Sequence, residues 1–273
     1  MLRLIIFLLL LQTSVSCEFK ESPKGLVIEK NSKGVVISEL HYSADSVIDG
    51  PAKYYYDNSK LSDSLFYRNG LPDGLHYHYD SIGNLKSIIQ YKKGEQDGVA
   101  SWFYPNGRLQ EKGYWRNGDA FGNYYWYLPS GNISSYCFYN FEGKCGYKID
   151  FDSTGHTLRE EGRLINQVSF KNEALLPSQE GNPVLLKTGD SLELEIAIAT
   201  PPIYTSTLHL ESQKDDQKLD SHFIDIGDTP IQFKRVFESS GVYNFNFRVE
   251  AMDKVKGIQK NEELLILVIV NPK

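Results

Sequence analysis

His76 and His78 flank Tyr77. Alternate residues of an extended strand share a face, so both imidazoles could reach one metal ion. A metal centre needs further ligands, and no third one stands nearby, so no metal site is expected. Asp150 and Asp152 flank Phe151 in the same way and could act as paired carboxylates. A strand that turns Phe151 to the core instead puts both acids on its solvated side. Glu160 and Glu161 are adjacent, hence on opposite faces of a strand, and Asp215-Asp216 lies in a polar turn. Asn132-Ile133-Ser134 fits the N-glycosylation triplet, which matters only in a eukaryotic host. The chain holds no phosphate-cradling glycine loop, no nucleophile elbow and no zinc-protease helix motif. Without a base oriented by a second group, no catalytic residue is named. The expectation is a protein that is not an enzyme and takes no cofactor.

The three cysteines carry the remaining chemistry. Arg3, the apolar run Leu4 to Leu11 and the mostly small residues Gln12-Thr13-Ser14-Val15-Ser16 lead to Cys17. This is the layout of a secretory signal over residues 1–16. A membrane span would need roughly 20 apolar residues, more than the run supplies. Cys17 after small residues resembles the lipobox of bacterial lipoproteins, in which the cysteine becomes the acylated N-terminus. The third residue before the cysteine is usually Leu there and is Ser14 here, and Ser14-Val15-Ser16 also fits an ordinary cleavage site. The resemblance implies a lipid-anchored protein of the cell envelope, in the outer membrane or periplasm of a Gram-negative bacterium, with the membrane as a partner through Cys17. Cys137 and Cys145 form a disulfide if a hairpin centred on Phe141–Glu142 sets them opposite one another. Otherwise they are two small buried residues, since Leu65, Ile89 and Gly113 are the equivalents of Cys137.

These residues must be positioned by strands. The 273 residues include 18 Tyr and 14 Phe but 2 Met, and aromatic side chains favour pleated, half-buried surfaces. Net charge is −6 with no basic run, which argues against nucleic acid as a partner. Gly50, Gly74, Gly98, Gly122 and Gly146 are spaced by 24 residues. Five residues after each stands Tyr55, Tyr79, Phe103, Tyr127 or Phe151, and seventeen after stands Tyr67, Tyr91, Trp115 or Tyr139. Asn106-Gly107 and Ile82-Gly83-Asn84 mark hairpin turns, and Asn69-Gly70 and Asn117-Gly118 mark the turns that lead onward. Each repeat is therefore read as a hairpin, and the hairpins must stack into one sheet because a lone one is marginal in water. Five repeats occupy 50–165, and residues 17–49 hold the lipidated terminus and a degenerate capping repeat.

The pattern, best seen in Phe103-Tyr104-Pro105-Asn106-Gly107-Arg108-Leu109, resembles the bacterial variant of the MORN repeat. That resemblance implies a repeat type and leaves function open. Some relatives are labelled antitoxins, a cytosolic role that the export signal here opposes. Eukaryotic MORN proteins are associated with membrane contact and scaffolding, which is analogy at the level of the fold.

Residues 166–182 read as a linker. Seven candidate strands follow in the 183–273 unit, at 183–187, 191–199, 204–211, 219–226, 230–237, 242–250 and 263–270. The fold class expected is all-β: a repeat sheet of stacked hairpins followed by a β-sandwich. Ser239-Ser240-Gly241-Val242-Tyr243 resembles the tyrosine corner of immunoglobulin domains, with Phe245 where antibody domains have Cys. A generic sandwich is the equal alternative.

Positions three and five after each glycine share one face, and positions two and four share the other. The position-five ring, backed by Leu61, Leu85, Leu109 and Ile133, is read as a structural ladder. Tyr54, His78, Trp102 and Trp126 at position four then form the candidate binding face, since a single-layer sheet cannot bury both sides. The alternative is that this row packs on the C-terminal unit or on a second copy of the chain. Three functions follow: a binding or scaffold module with a protein partner, a glycan-binding or carbohydrate-handling protein, and an antitoxin-like inhibitor of a secreted protein.

Overall fold

The computed structural model describes residues 24–171, 182–225 and 231–272, so the segment before Lys24, with Cys17, lies outside the described residues. The chain is all-β. Strands β1 (Gly25–Lys30) and β2 (Val36–Tyr42) form the cap. The repeats then contribute β3 (Ile48–Tyr55), β4 (Leu61–Arg68), the short β5 (Leu71–Pro72), β6 (Gly74–Tyr79), β7 (Leu85–Lys92) and β8 (Glu95–Phe103). They continue with β9 (Leu109–Arg116), β10 (Asp119–Tyr127), β11 (Ile133–Tyr139), β12 (Cys145–Phe151) and β13 (Thr157–Gly162). Neighbours in sequence pair antiparallel throughout, giving one 13-stranded sheet with β5 beside the main path.

Repeat register and turn chemistry explain this regularity. The onward turns Asn69-Gly70, Lys93-Gly94 and Asn117-Gly118 have two successive positive φ angles, the tight hairpin geometry that matches strand twist. Gly98 sits at φ 119 opposite a register shift, and a Cβ there would lie 2.3 Å from Gln90 Oε1. Gly50, Gly74 and Gly122 share this positive φ, where a side chain would be strained, while Gly146 does not and is instead crowded by the Asn166 side chain. Adjacent repeats are also joined at their turns. Asn58, Asn106 and Asn132 donate their side-chain amides to Ser81 O, Pro129 O and Ser153 O, and Tyr56 and Tyr104 donate hydroxyls to Tyr79 O and Tyr127 O. These bonds satisfy carbonyls at strand ends (Tyr79, Tyr127) and in the hairpin turns (Ser81, Pro129, Ser153), where the ladder stops.

The remaining strands are β14 (Ile165–Phe170), β15 (Val184–Lys187), β16 (Ser191–Ile198), β17 (Tyr204–Lys214), β18 (Gln217–Asp225), β19 (Ile231–Val236), β20 (Gly241–Asp253) and β21 (Gln259–Asn271). A three-stranded sheet β14-β16-β19 packs with a five-stranded sheet β15-β21-β20-β17-β18, in which β15 is parallel to β21. The seven expected strands are all present. The start of the expected linker differs. Residues 165–170 form β14 and pair with β16, because the apolar residues Ile165, Val168 and Phe170 at this polar-looking boundary have a sheet edge to join. The Tyr243 hydroxyl donates to Ser239 O at 2.9 Å, closing the corner before β20.

One buried cluster runs through both units. Tyr136, Phe138, Tyr147, Ile149 and Phe151 of the repeat sheet share it with Leu164, Leu194, Tyr204, Phe245, Val268 and others of the sandwich. At its edge Glu160 accepts hydrogen bonds from the hydroxyls of Tyr147 and Tyr204 and pairs with Lys260. Arg116 lies over the Phe121 ring at 4.0 Å and reaches Glu195, while Asn123 donates to Thr200.

Candidate functional site

Strand alternation decides which side chains share the sandwich's face. Tyr125, Tyr136, Phe138, Tyr147, Ile149 and Phe151 point into or against the shared core. The position-three and position-five residues of the last two repeats, Tyr125, Ile149 and Phe151, are therefore on the packed face, with Tyr125 and Tyr127 rings 6.4 Å apart. Positions two and four point the other way. There the Trp126 and Tyr124 rings lie 4.5 Å apart, tilted by 37°, and among the described residues the sandwich packs on the opposite side.

Tyr54, His78, Trp102 and Trp126 fall in a single row running across the strands. Residue by residue the register reads Ser38, Tyr54, Asp63, His78, Ser87, Trp102, Glu111, Trp126, Ser135 and Asp150. Aromatic or imidazole groups alternate with acids and hydroxyls. Successive rings are two strands apart, roughly 10 Å. All four expected residues are half-buried. Sequence reasoning missed their row partners Asp63, Ser87, Glu111 and Ser135. Their signal is the thirteenth position after each glycine, which carries only Asp, Ser, Glu and Ser in the first four repeats.

Two local networks shape the row. Asp63 Oδ1 lies 2.8 Å from both His76 Nε2 and His78 Nδ1. Burial pushes the Asp63 carboxyl up, but the hydrogen bonds from His76 and His78 outweigh this and hold it below its ordinary range. The two imidazoles thus converge on a carboxylate, and among the described residues no group of three or more His, Cys, Asp and Glu is arranged to hold a metal. Further along, the Tyr124 hydroxyl donates to Glu111 Oε2 at 2.8 Å. Its ring crosses β9 over Gly113, where a Cβ would stand 2.1 Å from Tyr124 Cδ2. Burial, then the bond to Glu111, pushes the Tyr124 hydroxyl well up, and burial and the Glu111 charge also raise Tyr139.

Residues 48–69 and 96–117 match the family described as MORN repeat variant. The two matched MORN segments lie in the first and third repeats, and the hairpin geometry of the others follows the same 24-residue register. No curated protein matches the chain.

Cys137 and Cys145 are joined in a disulfide with Cα atoms 5.8 Å apart. They are not directly opposite. Cys137 pairs with Lys148 and Cys145 with Tyr139, and a register shift between Phe138 and Tyr139 brings the two cysteines together diagonally. The hairpin symmetry used to place them from sequence omits that extra residue. The loop closed is short, so its entropic contribution is modest, about 2–3 kcal/mol.

Proposed function

We propose that the protein is a non-catalytic cell-envelope lipoprotein whose MORN-type repeat sheet is a binding or scaffold module. The observation that carries this reading is the row from Tyr54 to Trp126, on the face opposite the sandwich. Half-buried aromatic groups in a regular strip are the kind of surface that marks interaction sites. The sandwich, in this reading, is an immunoglobulin-like spacer. The Tyr243–Ser239 bond and the antiparallel run β21-β20-β17-β18 favour that description. A glycan-handling role is the second reading, favoured by the alternation of rings with hydroxyl and carboxylate groups along the row. An antitoxin-like role would require one stoichiometric protein partner.

The deciding experiment is a pull-down from envelope extract with wild type and a Trp102→Ala/Trp126→Ala variant. The variant is expected to keep its fold and lose the partners that wild type retains. A folded variant that keeps every partner would remove this face from consideration, and loss of self-association instead would make the row an assembly seam. Anchoring is tested separately. Cys17→Ser is expected to release the protein from the membrane fraction, and wild type is expected to take up an acyl-chain label. Failure to label would favour ordinary cleavage before Cys17.

A further inference from the structure

Glu111 occupies an unusual place in the row. It stands directly between Trp102 and Trp126 on neighbouring strands. It is half-buried, it accepts a hydrogen bond from the Tyr124 hydroxyl, and among the described residues it has no ion-pair partner. No lysine or arginine stands in the row from Ser38 to Ser135. The corresponding acid 48 residues earlier, Asp63, is different, because His76 and His78 both bond it. At the far end Asp150 has Lys148 beside it. Glu29, at the cap end of the row, accepts a hydrogen bond from Ser38, so within the five repeats the acid of the row that has neither an imidazole nor a cation beside it is Glu111, between two indole rings. Aromatic faces attract cations through their quadrupole, most strongly for Trp, and the attraction grows when the site is partly desolvated. A carboxylate between two such faces adds charge complementarity.

Deepening the binding-module reading, on which it rests, we propose that Trp102, Glu111 and Trp126 form a subsite for a cationic side chain, ammonium or guanidinium, of a basic peptide lying on the open face. The ammonium or guanidinium sits over Glu111 with an indole on each side. Gly113 lets the Tyr124 ring lie across β9 beside it, where the hydroxyl holds the carboxylate in place.

Titration calorimetry and tryptophan fluorescence on the full chain test this with three probes at low salt: a synthetic lysine-rich peptide, the same peptide with its lysines acetylated, and a neutral chitin tetrasaccharide. The lysine peptide is expected to bind and perturb the tryptophan emission. Acetylation removes the charge and is expected to weaken binding by about tenfold or more, as is Glu111→Gln, which keeps an acceptor for Tyr124. Equal binding of the acetylated peptide would overturn the proposal, and that comparison uses wild type alone, so it holds even if Glu111→Gln misfolds. Equal binding by folded Glu111→Gln, or binding of the oligosaccharide alone, would also overturn it. If wild type ignores the lysine peptide while Trp102→Ala/Trp126→Ala still loses an envelope partner, the binding face stands and the cation subsite falls.

Discussion

Ile149→Ala is expected to destabilise the repeat sheet and the sandwich together, at a cost of about 3 kcal/mol. Ile149 is fully buried, and it belongs to the cluster that contains Tyr136 and Tyr147 from the repeats and Leu194, Phe245 and Val268 from the sandwich. Truncation removes transfer energy and leaves a cavity that fixed strands on both sides cannot close. A domain of ordinary stability holds only about 5–15 kcal/mol in reserve, so the loss is a large share of it. Because the core is continuous, melting followed by sheet-sensitive circular dichroism and by calorimetry should give one transition, displaced as a whole. Two transitions, with only one displaced, would mean that the two units unfold independently and that their contact contributes little. Ala100 gives the contrasting control: it is buried on the open face, away from the shared core, so Ala100→Gly should cost much less than Ile149→Ala.

Acid should loosen the same joint, and Glu160 should carry much of that sensitivity. Burial pushes the Glu160 carboxyl up, but the ion pair with Lys260 and the hydroxyls of Tyr147 and Tyr204 together hold it below its ordinary range. The same contacts hold the Lys260 ammonium above its ordinary range despite burial, and burial together with Glu160 raises Tyr147 and Tyr204. A carboxyl whose pKa is lower in the folded state contributes stability above its unfolded pKa. That contribution is lost as pH falls through the depressed folded value. Between neutral pH and roughly pH 3, wild type should therefore lose more of its melting temperature than Glu160→Gln does. The variant should be the less stable protein at pH 7, and the two should converge in acid. Parallel curves would show that the pH sensitivity arises elsewhere, for instance at Asp63, also held low by its hydrogen bonds.

Much of this protein is legible from its residues. The 24-residue glycine spacing marks the repeats, and the structure gives it a cause in the bulge at Gly98 and its counterparts. Alternating apolar residues mark β16 and β20, because side chains alternate along any strand with one face buried, and the unbroken apolar run Leu264 to Val270 marks β21. The same alternation puts Tyr54, His78, Trp102 and Trp126 on one side of the sheet. The sequence pairs Cys137 with Cys145, but it could not show that they meet diagonally, since each register shift changes which residues oppose one another and such shifts leave no mark in composition. Nor could it find β14, whose pairing depends on the edge offered by β16 more than 20 residues later. The largest matter decided by tertiary structure is which face of the sheet is covered. Period-two patterning defines two faces and is indifferent between them, since each carries aromatic rows. The choice rests on long-range packing, in which the sandwich settles on Tyr136, Phe138, Tyr147 and Ile149 and leaves the Trp102–Glu111–Trp126 row on the other side.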